Sequence, residues 1–212
     1  MKHILLSAVF CCAIITSFAQ SDHYAGAMKK NLDLFDSSKT AAQYQTLSDA
    51  FARIGDAEKT QWQPYYFAGL ALSLAGWQPG MDADVNSPKI NAFCDKAEAL
   101  ASSDADKSEI YALRNMSATQ QMMVDPQSRY MQYGQAAGAA LQKGLKLNPN
   151  NPRLYYLQGM SLFNTPAQFG GGKDKAKPVF EKAVALYNVE QPTGFNPRWG
   201  KQQAQTQLAL CQ

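Results

Sequence analysis

Few side chains in this chain have the types and spacing that catalysis requires. His23 is the only histidine beyond residue 3, and no nucleophile, base and orienting group can be assembled around it from the sequence. The cysteine and histidine spacing typical of a zinc site does not occur in the sequence. The sequence therefore predicts no catalytic residue, no metal site and no cofactor, and it favours a binding protein over an enzyme.

Two short segments imitate ligand-binding loops without the residues that such loops need. Gly170-Gly-Gly-Lys173 resembles the end of a phosphate-binding loop, but Asp174 stands where a Ser or Thr is required. Asp82-Ala-Asp84-Val-Asn86 resembles the opening of a calcium loop, but Ser87 takes the place of its glycine. We therefore predict only a glycine turn and a solvated polar turn at these positions.

The composition is that of one globular domain. The chain has 212 residues, of which 46% are hydrophobic, and this is enough to bury a core without disulfide bonds. The formal net charge is only +3, and no run of basic residues exceeds Lys29-Lys30. This charge balance argues against nucleic acid as a partner.

The N-terminus has the layout of a secretory signal peptide. A positively charged start precedes the apolar run Ile4–Phe18, and small residues at Ser17 and Ala19 mark a cleavage site. The run is too short to cross a bilayer, which requires about 20 residues. We predict a leader over residues 1–19 and a mature domain over 20–212, exported to the periplasm or to the medium, with no membrane-spanning segment.

The cysteines do not form a disulfide framework. Lipid attachment at Cys11 or Cys12 is a weaker alternative to cleavage of the leader, because Phe10 is a poor residue before a modified cysteine. The mature domain keeps Cys94 and Cys211, which the predicted order of helices separates too widely for a disulfide bond. We expect both to be buried and unpaired.

Beyond the leader, apolar residues recur at helical spacing, and one helix is repeated three times. The three copies align without a gap, as Pro64–Leu72, Ile110–Ala118 and Leu154–Leu162. Gly69, Asn115 and Gly159 occupy one column, 46 and 44 residues apart. A small residue in this column allows each first helix to pack closely on a second helix. The second helices are predicted at about Pro88–Ser102, Arg129–Leu147 and Lys173–Tyr187.

Two helices precede this repeat and one follows it. Apolar residues at helical spacing over 24–35 and 44–54 predict a first hairpin. Asn196-Pro197 predicts the start of a last helix, as Ser87-Pro88 and Asn151-Pro152 do for earlier helices, because Ser and Asn cap helices and Pro suits the first helical position. We expect the last helix to cover the apolar end of the fourth hairpin through Trp199, Ala204 and Leu208.

The segment from Leu147 to Ala183 contains one phase of a tetratricopeptide (TPR) repeat, including the small, aromatic, small order of Ala176, Phe180 and Ala183. The chain resembles the small exported TPR proteins of Gram-negative bacteria over residues 60–212. It is most similar to a subgroup with the motifs Ser108–Leu113, Asn148–Arg153, Thr165–Gly172 and Asn196–Gly200. The resemblance implies an all-α, TPR-like α-α superhelix of about four helical hairpins plus a C-terminal capping helix, used for binding, and the subgroup has no established biochemical activity.

In TPR arrays the first helices line a concave face that binds partners. The aligned columns place seven candidate residues on this face: Tyr66, Leu70, Met116, Arg153, Tyr156, Met160 and Phe163. Aromatic and methionine side chains beside Arg153 suit an extended peptide or a partner helix, with Arg153 free to pair a carboxylate. The main hypothesis is therefore a protein- or peptide-binding adaptor in the cell envelope. The alternative for this face is that terminal segments of the chain itself fill the groove.

The connections between first and second helices are longer than in a standard TPR unit, and stacking should bring them to one edge. We call this the loop edge, and it comprises Gln78–Asn86, Met123–Ser128 and Thr165–Gly172 with the residues that flank them. Trp77, Tyr130 and Phe169 give it apolar groups, so a carrier of a small ligand or glycan is the alternative function. Trp77 and Phe169 could instead pack down between the loops.

A third hypothesis is that the protein is a structural subunit, or tile, of a larger envelope assembly. The sequence leaves its oligomeric state open.

Overall fold

The computed structural model describes residues 22–212, and the predicted leader over residues 1–19 lies outside this range. Within the described range the elements are α1 (residues 22–37), α2 (Ala41–Glu58), α3 (Gln63–Gly76), α4 (Ala83–Leu100), α5 (Asp104–Val124), α6 (Pro126–Arg129), a π-helical turn (Tyr130–Gly134), α7 (Gln135–Leu147), α8 (Pro152–Asn164), a 3-10 turn (Ala167–Phe169), α9 (Lys173–Val189) and α10 (Lys201–Ala209). In this part of the chain no helix is long and apolar enough to cross a membrane.

The helices pack as successive hairpins closed by a terminal helix, which confirms the predicted all-α superhelical architecture. α3 packs between α2 and α4, α5 packs against α4 and α7, and α8 packs against α9. Neighbouring first helices meet at both ends, since Gln120 Nε2 donates to Ser73 O at 2.6 Å near their C-terminal ends and Arg153 Nη1 donates to Glu109 Oε1 at 3.2 Å near their starts. α3, α5 and α8 therefore run parallel, and their C-terminal ends reach the same edge.

The first hairpin joins the core through aromatic rings. The ring centroids of Phe35 and Phe51 lie 6.3 Å apart, and Phe51 stacks on Phe67 of α3 at 5.4 Å. Met28 and Leu47 are also buried here. Burial of each such side chain contributes roughly 1.5–3 kcal/mol, so the hairpin that apolar spacing predicted is fixed against α3.

The column of small residues packs as the repeat predicted. A Cβ atom added at Gly159 would stand 2.5 Å from Cε1 of Phe180 in α9. One added at Gly69 would stand 2.7 Å from Cδ2 of Leu113 in α5 and in ordinary contact with α4, 3.5 Å from Cβ of Phe93. Asn115 Nδ2 donates to Ala137 O of α7 at 2.9 Å. Close contact between a first helix and its own second helix is therefore confirmed at Asn115 and Gly159, whereas the tightest contact at Gly69 is with the neighbouring first helix.

Helix starts depend on which side chain caps the free backbone N–H groups. The predicted start at Asn151-Pro152 is confirmed, because the Asn side chain accepts from the backbone N–H of Arg153 in the first turn of α8. The predicted start at Ser87-Pro88 is wrong, because Asp82 supplies the cap and α4 begins at Ala83. The proline lies inside α4, where its missing N–H costs one backbone hydrogen bond.

The predicted start at Asn196-Pro197 is also wrong, because tertiary contacts hold this segment in another conformation. Residues 190–200, which we call the strap, contain no helix and cross the first helices. Arg153 Nη2 donates to Pro197 O at 2.5 Å, and Trp199 Nε1 donates to Tyr66 Oη at 2.8 Å. Trp199 therefore packs on the first helices. Ala204 and Leu208, the other two residues predicted to cover the fourth hairpin, do pack against α9.

Candidate functional site

Two of the three connections of the loop edge are joined by an ion pair. Arg129 of α6 binds Asp84 of α4 with both terminal nitrogens, at 2.6 Å from Nη1 to Oδ1 and 2.9 Å from Nη2 to Oδ2. The hydrogen bond to Arg129 lowers the pKa of the Asp84 carboxyl, and the same bond raises the pKa of the guanidinium. The pair is exposed and contributes little to stability, but its two parallel bonds fix how the connections lie.

The loop edge carries most of the exposed apolar surface. Among the described residues, ten large apolar side chains are exposed, and seven of them lie on or beside the three connections. These seven are Trp77, Val85, Met123, Val124, Tyr130, Met131 and Phe169. Exposed apolar side chains grouped in this way make the loop edge the candidate site.

The middle connection owes its shape to the π-helical turn. A Cβ atom at Gly134 would stand 2.7 Å from Cδ2 of Tyr130, so only glycine leaves room for this ring. Tyr130 and Met131 open the turn and are 60% and 69% exposed. Single π turns within helices occur often at functional sites, and this one presents an aromatic ring beside a thioether.

The three loop-edge residues that the sequence singled out are accessible. Trp77, Tyr130 and Phe169 are 50%, 60% and 74% exposed, so neither tryptophan nor phenylalanine packs down between the loops. Phe169 ends the 3-10 turn, and Gly170 follows with φ at 85°. Trp77 directly follows α3. The three side chains therefore stand on three successive connections of one edge.

The concave-face candidates are all buried or partly buried in the described structure. Four of the seven are buried and three are partly buried, namely Tyr66, Leu70, Met116 and Arg153, and then Tyr156, Met160 and Phe163. The strap covers part of this face, since the ring of Trp199 lies 6.4 Å from that of Tyr156. The buried side chains are inaccessible to a partner in this conformation.

Arg153 binds carboxylates of its own chain. Its guanidinium donates to Glu190 of the strap at 2.6 Å and to Glu109 of α5 at 3.2 Å. Burial alone lowers the pKa of Arg153, but Glu109 and Glu190 outweigh burial and raise it, so the side chain stays cationic. Glu109 is itself buried near the start of α5 and paired with Arg153 inside the molecule.

Sequence reasoning missed part of the loop-edge surface. Met123, Val124 and Met131 are each more than half exposed, and none was among the candidates. The signal was a run of apolar residues continuing to the predicted end of a helix, directly before Asp125 and Pro126.

Within residues 22–212 no group of three or more His, Cys, Asp or Glu side chains could hold a metal ion. Cys94 and Cys211 are buried and unpaired, as expected.

The fold and the loop edge define a class of small, all-helical protein with an exposed apolar surface on its inter-helix connections. No protein-family model matches the chain, and no curated protein matches it. Among solved structures, the chain is similar to the HusA haemophore from Porphyromonas gingivalis, with 38% sequence identity and a TM-score of 0.80, covering 89% of this chain and 92% of that chain. This identity over nearly the whole length shows that the chain belongs to the same family as HusA.

Proposed function

We propose that the protein is a non-enzymatic carrier that binds haem, or a related flat tetrapyrrole, at the loop edge. The observation that carries the proposal is the clustering of seven of ten exposed large apolar side chains on this edge. A family relative described as a haemophore supplies the chemical class of the ligand. The same surface supported a small-ligand carrier when only the sequence was considered.

The middle connection is the centre of the proposed site. Tyr130 and Met131 lie between the connection that carries Trp77 and the one that carries Phe169. Aromatic rings and methionine bind a flat apolar ligand through large contact area and through contacts between sulfur and aromatic rings. A macrocycle laid across the middle connection would cover the side chains that are now exposed.

Arg129 supplies the charge that a haem propionate needs. Its guanidinium lies at the same connection and already holds a carboxylate, that of Asp84, in a two-bond arrangement. A propionate presents the same group and competes for the same donors. Arg129 would therefore orient the ligand, and Asp84 would limit its affinity.

Iron ligation has few donors at this surface. Tyr130 and Met131 carry the donor types found in haem proteins, whereas His23 lies on α1 away from the three connections. Contacts with the macrocycle are therefore expected to supply most of the binding free energy. Comparison of haemin with metal-free protoporphyrin measures the part that iron contributes.

The experiment is a titration of residues 20–212 with haemin, followed by the Soret absorbance. The double variant Tyr130→Ala and Met131→Ala should bind at least about tenfold more weakly, because it loses two apolar contacts worth roughly 1 kcal/mol each. The matched control is Val189→Ala, which removes a side chain 73% exposed at the end of α9 and should leave the affinity unchanged. No saturable binding, or equal affinity of all three proteins, would contradict the proposal.

We also infer that the carrier works outside the cytoplasm, in the periplasm or the medium. The predicted leader over residues 1–19 and a relative described as a haemophore support this location. Binding of a protein or peptide on the concave face stays a prediction. A partner there would have to displace the strap, since Arg153 and Tyr66 are covered.

A further inference from the structure

A cleft of about 510 Å³ lies where α3 and α5 begin, at the edge opposite the loop edge. Its walls are the start of α3, the end of α4, the start of α5, the strap and Tyr24 of α1. α3 alone has 14 residues, which is about 21 Å of helix. The cleft is therefore distinct from the proposed haem site.

Two buried polar atoms that border this cleft have no hydrogen-bond partner among residues 22–212. They are the hydroxyl of Tyr24 and Oε1 of Gln63. The Gln63 side chain is oriented by its other end, because Nε2 donates to Asn196 Oδ1 of the strap at 3.1 Å. Buried polar atoms are almost always paired in native proteins, so two unpaired atoms beside one cleft call for a partner inside it.

The polar groups of the cleft are overwhelmingly neutral. Its hydroxyl and amide side chains are Thr60, Gln61, Gln63, Ser102, Thr193 and Asn196. Asp106 is the only charged side chain among the described residues that line it, and no lysine, arginine or histidine does so. Burial and the nearby charge of Glu58 raise the pKa of Tyr24, so its hydroxyl keeps its proton and can donate. An anionic ligand such as a haem propionate finds no counter-ion here.

Aromatic side chains form the apolar part of the same walls. The ring of Tyr24 meets that of Phe195 edge to face, with centroids 5.5 Å apart. Trp62 is only 5% exposed and is fixed against Tyr66 at 5.5 Å. Rigid aromatic walls combined with a few fixed polar atoms are the usual composition of a small-molecule site.

We propose that this cleft binds a neutral, polyhydroxylated small molecule, such as a monosaccharide or disaccharide. The free Gln63 Oε1 and the Asp106 carboxylate accept hydrogen bonds from ligand hydroxyls, and the Tyr24 hydroxyl donates one. The C–H face of a sugar ring would lie against Phe195. The site is separate from that of the proposed carrier function and does not depend on it.

The test is a titration of ¹⁵N-labelled residues 20–212 by NMR with glucose, maltose and N-acetylglucosamine, and with arginine and citrate as charged probes. At least one sugar should give saturable shifts at residues 60–63 and 193–196, with a Kd on the order of 1 mM. Tyr24→Phe should weaken this binding by about fivefold or more, because it removes only the unpaired hydroxyl. Asn196→Ala, which releases Gln63, should also weaken it, and thermal melts check that both variants fold.

The matched control is Tyr130→Phe, which removes a hydroxyl at the loop edge and should leave sugar binding unchanged. The proposal is overturned if no sugar produces saturable shifts up to about 100 mM, well above the expected range of Kd. It is also overturned if arginine or citrate shifts the cleft residues at lower concentration than the sugars do, or if the two tyrosine variants weaken binding equally. Failure of haemin to bind at the loop edge would leave each of these outcomes unaffected.

Discussion

Arg153 is fully buried, and two carboxylates of the same chain neutralise its charge. Glu109 comes from α5 and Glu190 from the strap, so the ion network ties a repeat helix to a segment outside the repeat. Burial raises the pKa of Glu109 to about 7, against the attraction of Arg153. Glu109 Oε2 has no hydrogen-bond partner in the part of the chain that the structure describes, which adds to the cost of burying its charge.

Replacement of Glu109 by Gln should change how stability depends on pH. The folded-state pKa of Glu109 is about 7, above its ordinary value of 4.5, so the unfolding free energy falls as pH rises from about 4.5 to about 7. The substituted amide cannot titrate, while Arg153 keeps Glu190 as its counter-ion. At each pH, the effect of Glu109→Gln is its unfolding free energy minus that of the native chain. This effect should be about 1–3 kcal/mol more stabilising at pH 8 than at pH 5. Urea unfolding at both pH values measures this difference, and an equal difference at both would contradict it.

The same residues show what a sequence reveals at this scale. The alignment of Ile110–Ala118 with Leu154–Leu162 puts the preceding residues, Glu109 and Arg153, in one column, and the structure joins them at 3.2 Å. The alignment could not supply Glu190 or Pro197, because neither belongs to the repeat. The sequence therefore indicated that Arg153 was free to bind a partner. In the structure it binds carboxylates that lie 44 residues before it and 37 residues after it.

At the scale of the helices, the small-residue column allows close approach, within the hairpin at Gly159 and between first helices at Gly69. The ring of Phe180 fills the space beside Gly159. Gly138 of α7 is also helical, but an added Cβ there would meet no atom within 4 Å. The two glycines offer the same substitution in opposite surroundings.

Gly159→Ala should destabilise the protein, and Gly138→Ala should stabilise it. The added methyl at residue 159 overlaps Phe180 and costs about 1–3 kcal/mol. The methyl at residue 138 has free space and restricts the unfolded chain, which stabilises by roughly 0.4–1 kcal/mol. Chemical denaturation of both variants measures the two free energies of unfolding. A stabilising effect of Gly159→Ala would show that the hairpin contact there is looser than the distance to Phe180 indicates, and a destabilising effect of Gly138→Ala would contradict the free space at residue 138.

Helix existence was predictable from apolar spacing, but helix ends were not. Ser87-Pro88, Asn151-Pro152 and Asn196-Pro197 carry the same start signal, yet only Asn151-Pro152 begins a helix. Asp82 captures the start of α4 locally. The conformation of the strap is set by its contacts with Tyr66 and Arg153, which are far away in sequence. The loop edge was predictable because parallel first helices must end on one side, whereas the π turn at Tyr130 had no sequence signal.

The whole molecule is a stack whose last hairpin needs a cover. α10 packs on α9, where Ala204 lies against Ala183 and Tyr187, and Leu208 lies near Phe180. Gly200 starts this helix from a left-handed conformation with φ at 105°, which favours glycine. The strap stays attached through Arg153 and Tyr66 without help from α10. The cover can therefore be removed without removing the strap.

Deletion of residues 201–212 should uncover the outer face of α9. Terminal units of stacked repeats need a polar outer surface for solubility, so the truncated chain should self-associate and melt at a lower temperature. Light scattering after size exclusion measures the mass, and Leu210→Ala is the control because this side chain is already 50% exposed. Because mass action strengthens association, the Tm of the truncated chain should rise with protein concentration, while that of the control should not. A truncated chain that stays monomeric with an unchanged Tm would show that α9 is closed without α10.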